Sequence, residues 1–168
     1  MSVLSGADVA KSCSSYKKVN PNGVDISPKE VRRIPAGATI YLHGEERGYL
    51  DGKKPVTDSA KTVLKPDAKG FYRFSRGGLY ELRFPKVTVP ADVTGFAFPR
   101  STINRLGIVK VETAVFDSGY SGEFTQTIFT PLEARVHKDE ALVQLVFIRN
   151  EAPSKDLYRG RYQNESSR

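Results

Sequence analysis

Two short segments, with eight positions between the end of one and the start of the other, carry the side chains best suited to chemistry. The first runs Pro99-Arg100-Ser101-Thr102-Ile103-Asn104-Arg105-Leu106-Gly107, and the second runs Phe116-Asp117-Ser118-Gly119-Tyr120-Ser121-Gly122-Glu123. The guanidiniums of Arg100 and Arg105 can each grip phosphate oxygens in a bidentate way. The Ser101 and Thr102 hydroxyls can complete that grip. In the second segment, Asp117 offers a carboxylate that can orient a water or meet a metal. Together the two segments suit chemistry on a nucleoside triphosphate. They equally suit an Arg-rich turn followed by a Gly-rich turn, and spacing alone does not separate these readings.

The elements that must position them read as β. Tyr80-Glu81-Leu82-Arg83-Phe84 alternates apolar and polar, as a half-buried strand does. Short β-prone runs include Thr39–Leu42, Val87–Val89, Gly95–Phe98, Ile108–Val111, Phe124–Phe129 and Leu142–Ile148. Pro85, Pro90, Pro99 and Pro131 are expected at strand ends. Many short strands at close spacing predict an all-β sandwich or barrel. Helix is scarce. Ser27-Pro28-Lys29-Glu30 has the form of a capping box and predicts at most a turn or two of helix. Gly48 to Gly70 is polar and Lys-rich, and reads as a long loop or mobile hairpin. Residues 1–152 are expected to form one β domain. Residues 153–168 hold little apolar content and are expected to be a flexible tail.

Composition narrows the function classes. The chain has 168 residues, 27% charged and 39% hydrophobic, which is ordinary for a single globular domain. No apolar run approaches the ~18 residues of a membrane span, so no membrane partner is expected. The first eight residues lack the basic and apolar blocks of a signal peptide. Cys13 is the single cysteine, which rules out an internal disulfide and fits a cytoplasmic setting. The net charge of +7 suits polyanionic partners. The basic residues are spread rather than massed in one block, which argues against a nucleic-acid partner. His43 and His137 stand alone in the sequence, so no zinc site is expected.

The two segments resemble the second and third motifs of the dUTP pyrophosphatase and dCTP deaminase superfamily. Three further stretches agree. Pro21-Asn22-Gly23-Val24-Asp25-Ile26 resembles the first motif, and Ala141-Leu142-Val143-Gln144-Leu145-Val146 resembles the fourth. Tyr158-Arg159-Gly160-Arg161-Tyr162-Gln163 resembles the tail of the archaeal-type members. The resemblance implies a distorted jelly roll (a β-clip fold) assembled as a homotrimer with sites between subunits. It implies hydrolysis of dUTP to dUMP and pyrophosphate, with Mg²⁺ as cofactor.

Roles carry over residue by residue. Asp117 would orient the attacking water and meet the sugar 3′-hydroxyl. Tyr120 would pack on the deoxyribose. Arg100, Ser101, Thr102, Arg105 and Gln144 would hold the phosphates, with Tyr158 and Arg161 of the tail covering them. Asp25 would act near the metal, through bound water. The family usually has a second Ser at the place of Thr102.

One departure bears on the reaction. In the deaminases a glutamate lies ten residues after the motif Asp, and this chain has Thr127 there. A threonine hydroxyl is a poor proton carrier, and Glu123 is ~13 Å away along an extended strand. The dUTP pyrophosphatase reaction is therefore expected. A dCTP deaminase, a bifunctional enzyme and a catalytically silent nucleotide-binding protein on the same fold are the alternatives.

Overall fold

A computed structural model of the chain describes residues 2–44, 46–51, 54–56, 61–111 and 115–166. In chain order the elements are β1 (Ser2–Val3), α1 (Gly6–Ala10), β2 (Lys18–Asn20), β3 (Gly23–Ile26), β4 (Glu30–Arg33), β5 (Ile40–His43), β6 (Glu46–Asp51), β7 (Lys54–Val56), β8 (Thr62–Leu64), β9 (Phe71–Phe74), β10 (Gly78–Thr88), β11 (Val93–Pro99), α2 (Ser101–Arg105), β12 (Val109–Lys110), β13 (Ser121–Thr130), β14 (Ala134–His137) and β15 (Val143–Arg149). Every strand pair is antiparallel.

Two five-stranded sheets form the body. The first has the order β1-β15-β3-β2, with β11 on the other part of β15, and the second has the order β12-β13-β10-β4-β8. One apolar cluster joins them. Val24, Ile26, Ala97, Val143, Leu145 and Phe147 come from the first sheet, and Val31, Tyr80, Leu82, Phe84, Phe124 and Ile128 from the second. Antiparallel strands whose alternate residues face one shared core are what the alternation predicted. This is the all-β jelly-roll architecture expected.

The alternation fixes what each sheet face carries. Along β13 the buried residues are Gly122, Phe124, Gln126, Ile128 and Thr130. Glu123, Thr125, Thr127 and Phe129 therefore lie on the opposite, outer face. Register places Glu81 of β10 opposite Thr127 and Arg83 opposite Thr125. Arg32 and Glu30 of β4 lie opposite Glu81 and Arg83. The outer face of the second sheet is thus mainly polar and charged, and the inner face is mainly apolar, with Gln126 and Thr130 as its polar members on β13.

Two local readings are corrected, and a third is narrowed to one of its alternatives. The capping box at Ser27–Glu30 starts no helix. The Ser27 hydroxyl donates to the Asp139 carbonyl at 2.9 Å, and Glu30 opens β4, whose Val31 belongs to the core. Pro85 is not at a strand end. It lies inside β10, where the register slips between Phe84 and Val87, and a bulge tolerates a residue with no N–H to donate. Of the long loop or hairpin expected for the Gly48–Gly70 stretch, the hairpin is found, with β6 paired to β7 and Tyr49 opposite Val56. The stretch contributes to β6, β7 and β8, with Gly52, Lys53 and residues 57–60 outside the described set. The short helix α1 has a capping signal of its own. The Ser5 hydroxyl oxygen accepts from the Asp8 N–H at 3.3 Å.

Cys13 packs against the core, and its thiol donates to the Val9 carbonyl at 3.4 Å. Burial pushes its pKa up to about 12, so it is a neutral thiol near pH 7 and no nucleophile.

Candidate active site

The five motifs fold into two groups. The first gathers where β3, β15 and β11 lie side by side. Gln144 of β15 is in register with Asp25 of β3 on one side and Phe98 of β11 on the other. Pro99 ends β11, and Arg100 turns the chain into α2.

Asp25 is almost fully buried, and both of its oxygens are engaged. Oδ1 accepts from Asn20 Nδ2 at 2.8 Å, and Oδ2 pairs with Arg100 Nε at 3.0 Å. Arg100 Nη1 also donates to Glu140 Oε1 at 2.9 Å and to the Ala141 carbonyl at 3.3 Å. The guanidinium is held on two edges before any ligand arrives. Ser101, Thr102 and Arg105 are exposed beside it, on the short helix whose inner side buries Ile103.

The second group is built on the turn that enters β13. Phe116 pairs with Gly95 of β11 through two backbone hydrogen bonds of 2.9 and 3.0 Å. Asp117 follows and is exposed, and the Tyr120 N–H donates to its carbonyl at 3.0 Å. Gly119 sits at φ +83°, a conformation that L side chains rarely adopt. Its N–H donates to the Val89 carbonyl at 3.0 Å. The turn therefore holds the Asp117 carboxylate on a rigid base. Tyr120 is buried between Phe116 and Tyr158, with ring centroids at 5.7 and 5.4 Å. Its hydroxyl donates to the Glu123 carbonyl at 2.7 Å, and burial pushes its pKa well up. It is a fixed neutral wall.

The tail crosses this same turn. The Tyr158 N–H donates to the Ser118 carbonyl at 2.9 Å, and the Asn164 N–H donates to the Ser121 carbonyl at 2.6 Å. The Gln163 side chain grips both sides of the turn, accepting from the Ser121 N–H and donating to the Gly119 carbonyl, each at 3.0 Å. Gln163 was not among the residues singled out for a role. The signal for it was the Tyr162-Gln163 pair in the tail motif.

Asp117, Tyr120, Thr127, Tyr158 and Arg161 line one cleft of about 1430 Å³. The β5–β6 hairpin with Tyr41 and Tyr49 also lines it, as do Glu81 on the outer face of the second sheet and Lys61, just ahead of β8. Asp25, Arg100, Ser101, Thr102, Arg105 and Gln144 line none of it. The reason lies in β11. Asp117 follows the residue that pairs with Gly95, and Arg100 lies five residues beyond Gly95, on the order of 17 Å at ~3.3 Å per residue. One chain thus carries the two groups at opposite ends of a strand.

Among the described residues, no three His, Cys, Asp or Glu side chains gather as a metal cage. The available donors are the exposed Asp117 and the already engaged Asp25. Mg²⁺ keeps several waters and needs only one or two protein carboxylates, so a ligand that carried it in would need no more than one of them.

Comparison with known proteins gives a consistent family. Residues 3–150 match the family model described as dCTP deaminase-like. A Methanosarcina barkeri protein named "probable deoxyuridine 5'-triphosphate nucleotidohydrolase" is 31% identical over 154 residues, covering 90% of this chain and 84% of its own. A Thermococcus kodakarensis protein named dCTP deaminase is 32% identical over 132 residues, covering 77% of each chain. Among solved structures, the 2'-deoxycytidine 5'-triphosphate deaminase of Agrobacterium tumefaciens superposes with a TM-score of 0.60 at 18% identity. That match covers 86% of this chain and 46% of the other, so the matched region spans less than half of that protein.

Proposed function

This chain belongs to the dCTP deaminase-like family, and from that footing we propose that it hydrolyses dUTP to dUMP and pyrophosphate. The observation that carries the reading is the contrast within one cleft. Asp117 stands exposed on a rigid turn, while β13 presents Thr127 at the place of the deaminase glutamate. Identity to archaeal relatives named as dUTP nucleotidohydrolases supports the same choice.

In this reading the Asp117 carboxylate accepts a proton from a water and aims it at the α-phosphorus, in line with the departing pyrophosphate. Tyr120 bounds the sugar side. Arg100, Ser101, Thr102, Arg105 and Gln144 hold the phosphates in place, and positioning supplies much of the rate in such a displacement. Mg²⁺ on the phosphate oxygens would offset the charge of the leaving group. Contact with Asp25 would pass through bound water, since both Asp25 oxygens already have partners.

The two groups of site residues need a second copy of the chain to meet. We take the working form as a cyclic homotrimer, a closed heterologous assembly, in which the Arg100 group of one protomer faces the Asp117 cleft of the next. A cytoplasmic setting fits a nucleotide substrate, and no described helix is long and apolar enough to cross a membrane.

A second reading, dCTP deamination, is supported by relatives named dCTP deaminase at 32% and 36% identity and by one feature of the cleft. Glu81 brings a carboxylate to the position opposite Thr127 from the neighbouring strand. Separate assays of pyrophosphate and ammonia distinguish the two reactions.

The tail is assigned the part of a cover. A chain ending at Ala152 loses the Tyr158, Gln163 and Asn164 contacts to the Ser118–Ser121 turn. It keeps nearly all of the core, to which the tail adds only Tyr158. It is expected to fold and assemble but to lose about tenfold or more of its turnover, as loss of a closing segment does. Hydrogen exchange should show residues 153–166 gaining protection when a non-hydrolysable dUTP analogue binds. Equal protection in both states, with full activity of the shortened chain, would remove the tail from the mechanism.

A further inference from the structure

We propose that Glu81 and Lys61 form a donor–acceptor pair, lining the cleft, that reads the hydrogen-bonding edge of the pyrimidine base. The inference rests on the reading of the cleft as a deoxynucleotide site. Lys61 Nζ lies 2.5 Å from Glu81 Oε2, and the two side chains are only 10% and 13% exposed. The Lys61 ammonium also sits over the Tyr49 ring, 5.6 Å from its centroid. All three residues line the cleft that contains Asp117. A carboxylate and an ammonium fixed side by side present one acceptor next to one donor.

The placement follows from the sheet. Glu81 is directly opposite Thr127 in the β10–β13 register. Such cross-strand neighbours have Cβ atoms roughly 4.5–5.5 Å apart on one face. The segment carrying Asp117 begins beside the same spot, because the Val111 N–H donates to the Thr127 carbonyl at 2.9 Å. Val111 and Val115 join Asp117 and Thr127 in lining the cleft. A nucleoside whose sugar lies at Asp117 and Tyr120 therefore has an apolar flank for the ring, with the Glu81–Lys61 pair and the Thr127 hydroxyl within reach of its polar edge.

The chemistry of the pair matches uracil. Uracil offers an N3–H donor beside an O4 acceptor, and the Glu81 carboxylate would accept from the first while the Lys61 ammonium donates to the second. Cytosine in the same pose offers an N3 acceptor beside an amino donor, which opposes both groups. Sites that pair with a polar edge reject the analogue that reverses it, because buried groups are then left unmatched.

The test is equilibrium binding of α,β-imido-dUTP and α,β-imido-dCTP to the full chain, which needs no turnover. Glu81→Gln keeps the side-chain size but turns one acceptor into a donor, and Lys61→Met removes the donor. Thermal melts confirm folding of each. The wild type is expected to prefer the uracil analogue, and each variant to lower that preference about tenfold or more. Asp117→Asn should leave the ratio unchanged. If Glu81→Gln fails to fold, Lys61→Met alone decides the matter. A preference unchanged within twofold in a folded variant, or a wild type without preference, would overturn the base-reading pair. Release of pyrophosphate from dUTP by the wild type is scored separately. A collapsed ratio without that release would retain the pair and reject the hydrolase reading.

Discussion

Replacing Asp117 with asparagine is expected to lower dUTP turnover by roughly 10²-fold or more, the usual size of a general-base contribution, while nucleotide still binds. The turn does not depend on the carboxylate. Its backbone is held by the Tyr120 N–H on the Asp117 carbonyl and by Gly119 on Val89. The Asn side chain fits the same space and keeps one acceptor oxygen, but it cannot take the proton from a water. In the proposed reading, binding energy comes from the Arg100 group of residues and from the Tyr120 wall, neither of which the change touches. The result to look for is a fall in kcat with KM nearly constant, measured by pyrophosphate release. Near-normal kcat would remove Asp117 from the chemical step.

The second large effect concerns Arg100. Its partner Asp25 is among the few charged groups buried in the body, with a side chain 6% exposed against 28% for Arg100. Removing one member of a buried pair leaves the other charge without its partner, at a cost of about 3 kcal/mol. Arg100→Met should therefore lose about that much stability in urea unfolding and also lose its phosphate grip. The double variant Arg100→Met/Asp25→Asn should recover part of the loss, giving a coupling of about 1–3 kcal/mol. Coupling below about 0.5 kcal/mol would mean that Asp25 does not hold Arg100, and its role would return to the metal. The Asn20 amide on Asp25 Oδ1 and Glu140 on Arg100 Nη1 keep the remaining side chain from collapsing freely, which favours a visible effect.

Much of this was legible in the residues. The strands followed the alternation, since Leu82 faces the core and Glu81 and Arg83 do not. The turn at Asp117 was legible because Gly119 needs a positive φ. What was not legible depends on long-range pairing. Nothing local in Ser27–Glu30 says that Ser27 will meet Asp139, 112 positions away, so a capping signal led nowhere. The same limit applies to the site. The motifs single out Asp25 and Arg100 separately, but only register and packing reveal that they hold each other. Glu81 looked like an ordinary polar position of an alternating strand until β10 paired with β13. The separation of the phosphate group from Asp117 likewise comes from the length of β11.

The measurement that tests the central claim most directly is a panel of deoxynucleoside triphosphates with Mg²⁺ on the full chain, scored for pyrophosphate and for ammonia in the same reactions. The account expects pyrophosphate from dUTP and no ammonia from dCTP, because β13 carries Thr127 where the deaminases carry glutamate. Ammonia from dCTP at a rate comparable to pyrophosphate release would contradict it, and would assign the carboxylate of Glu81 to proton transfer instead.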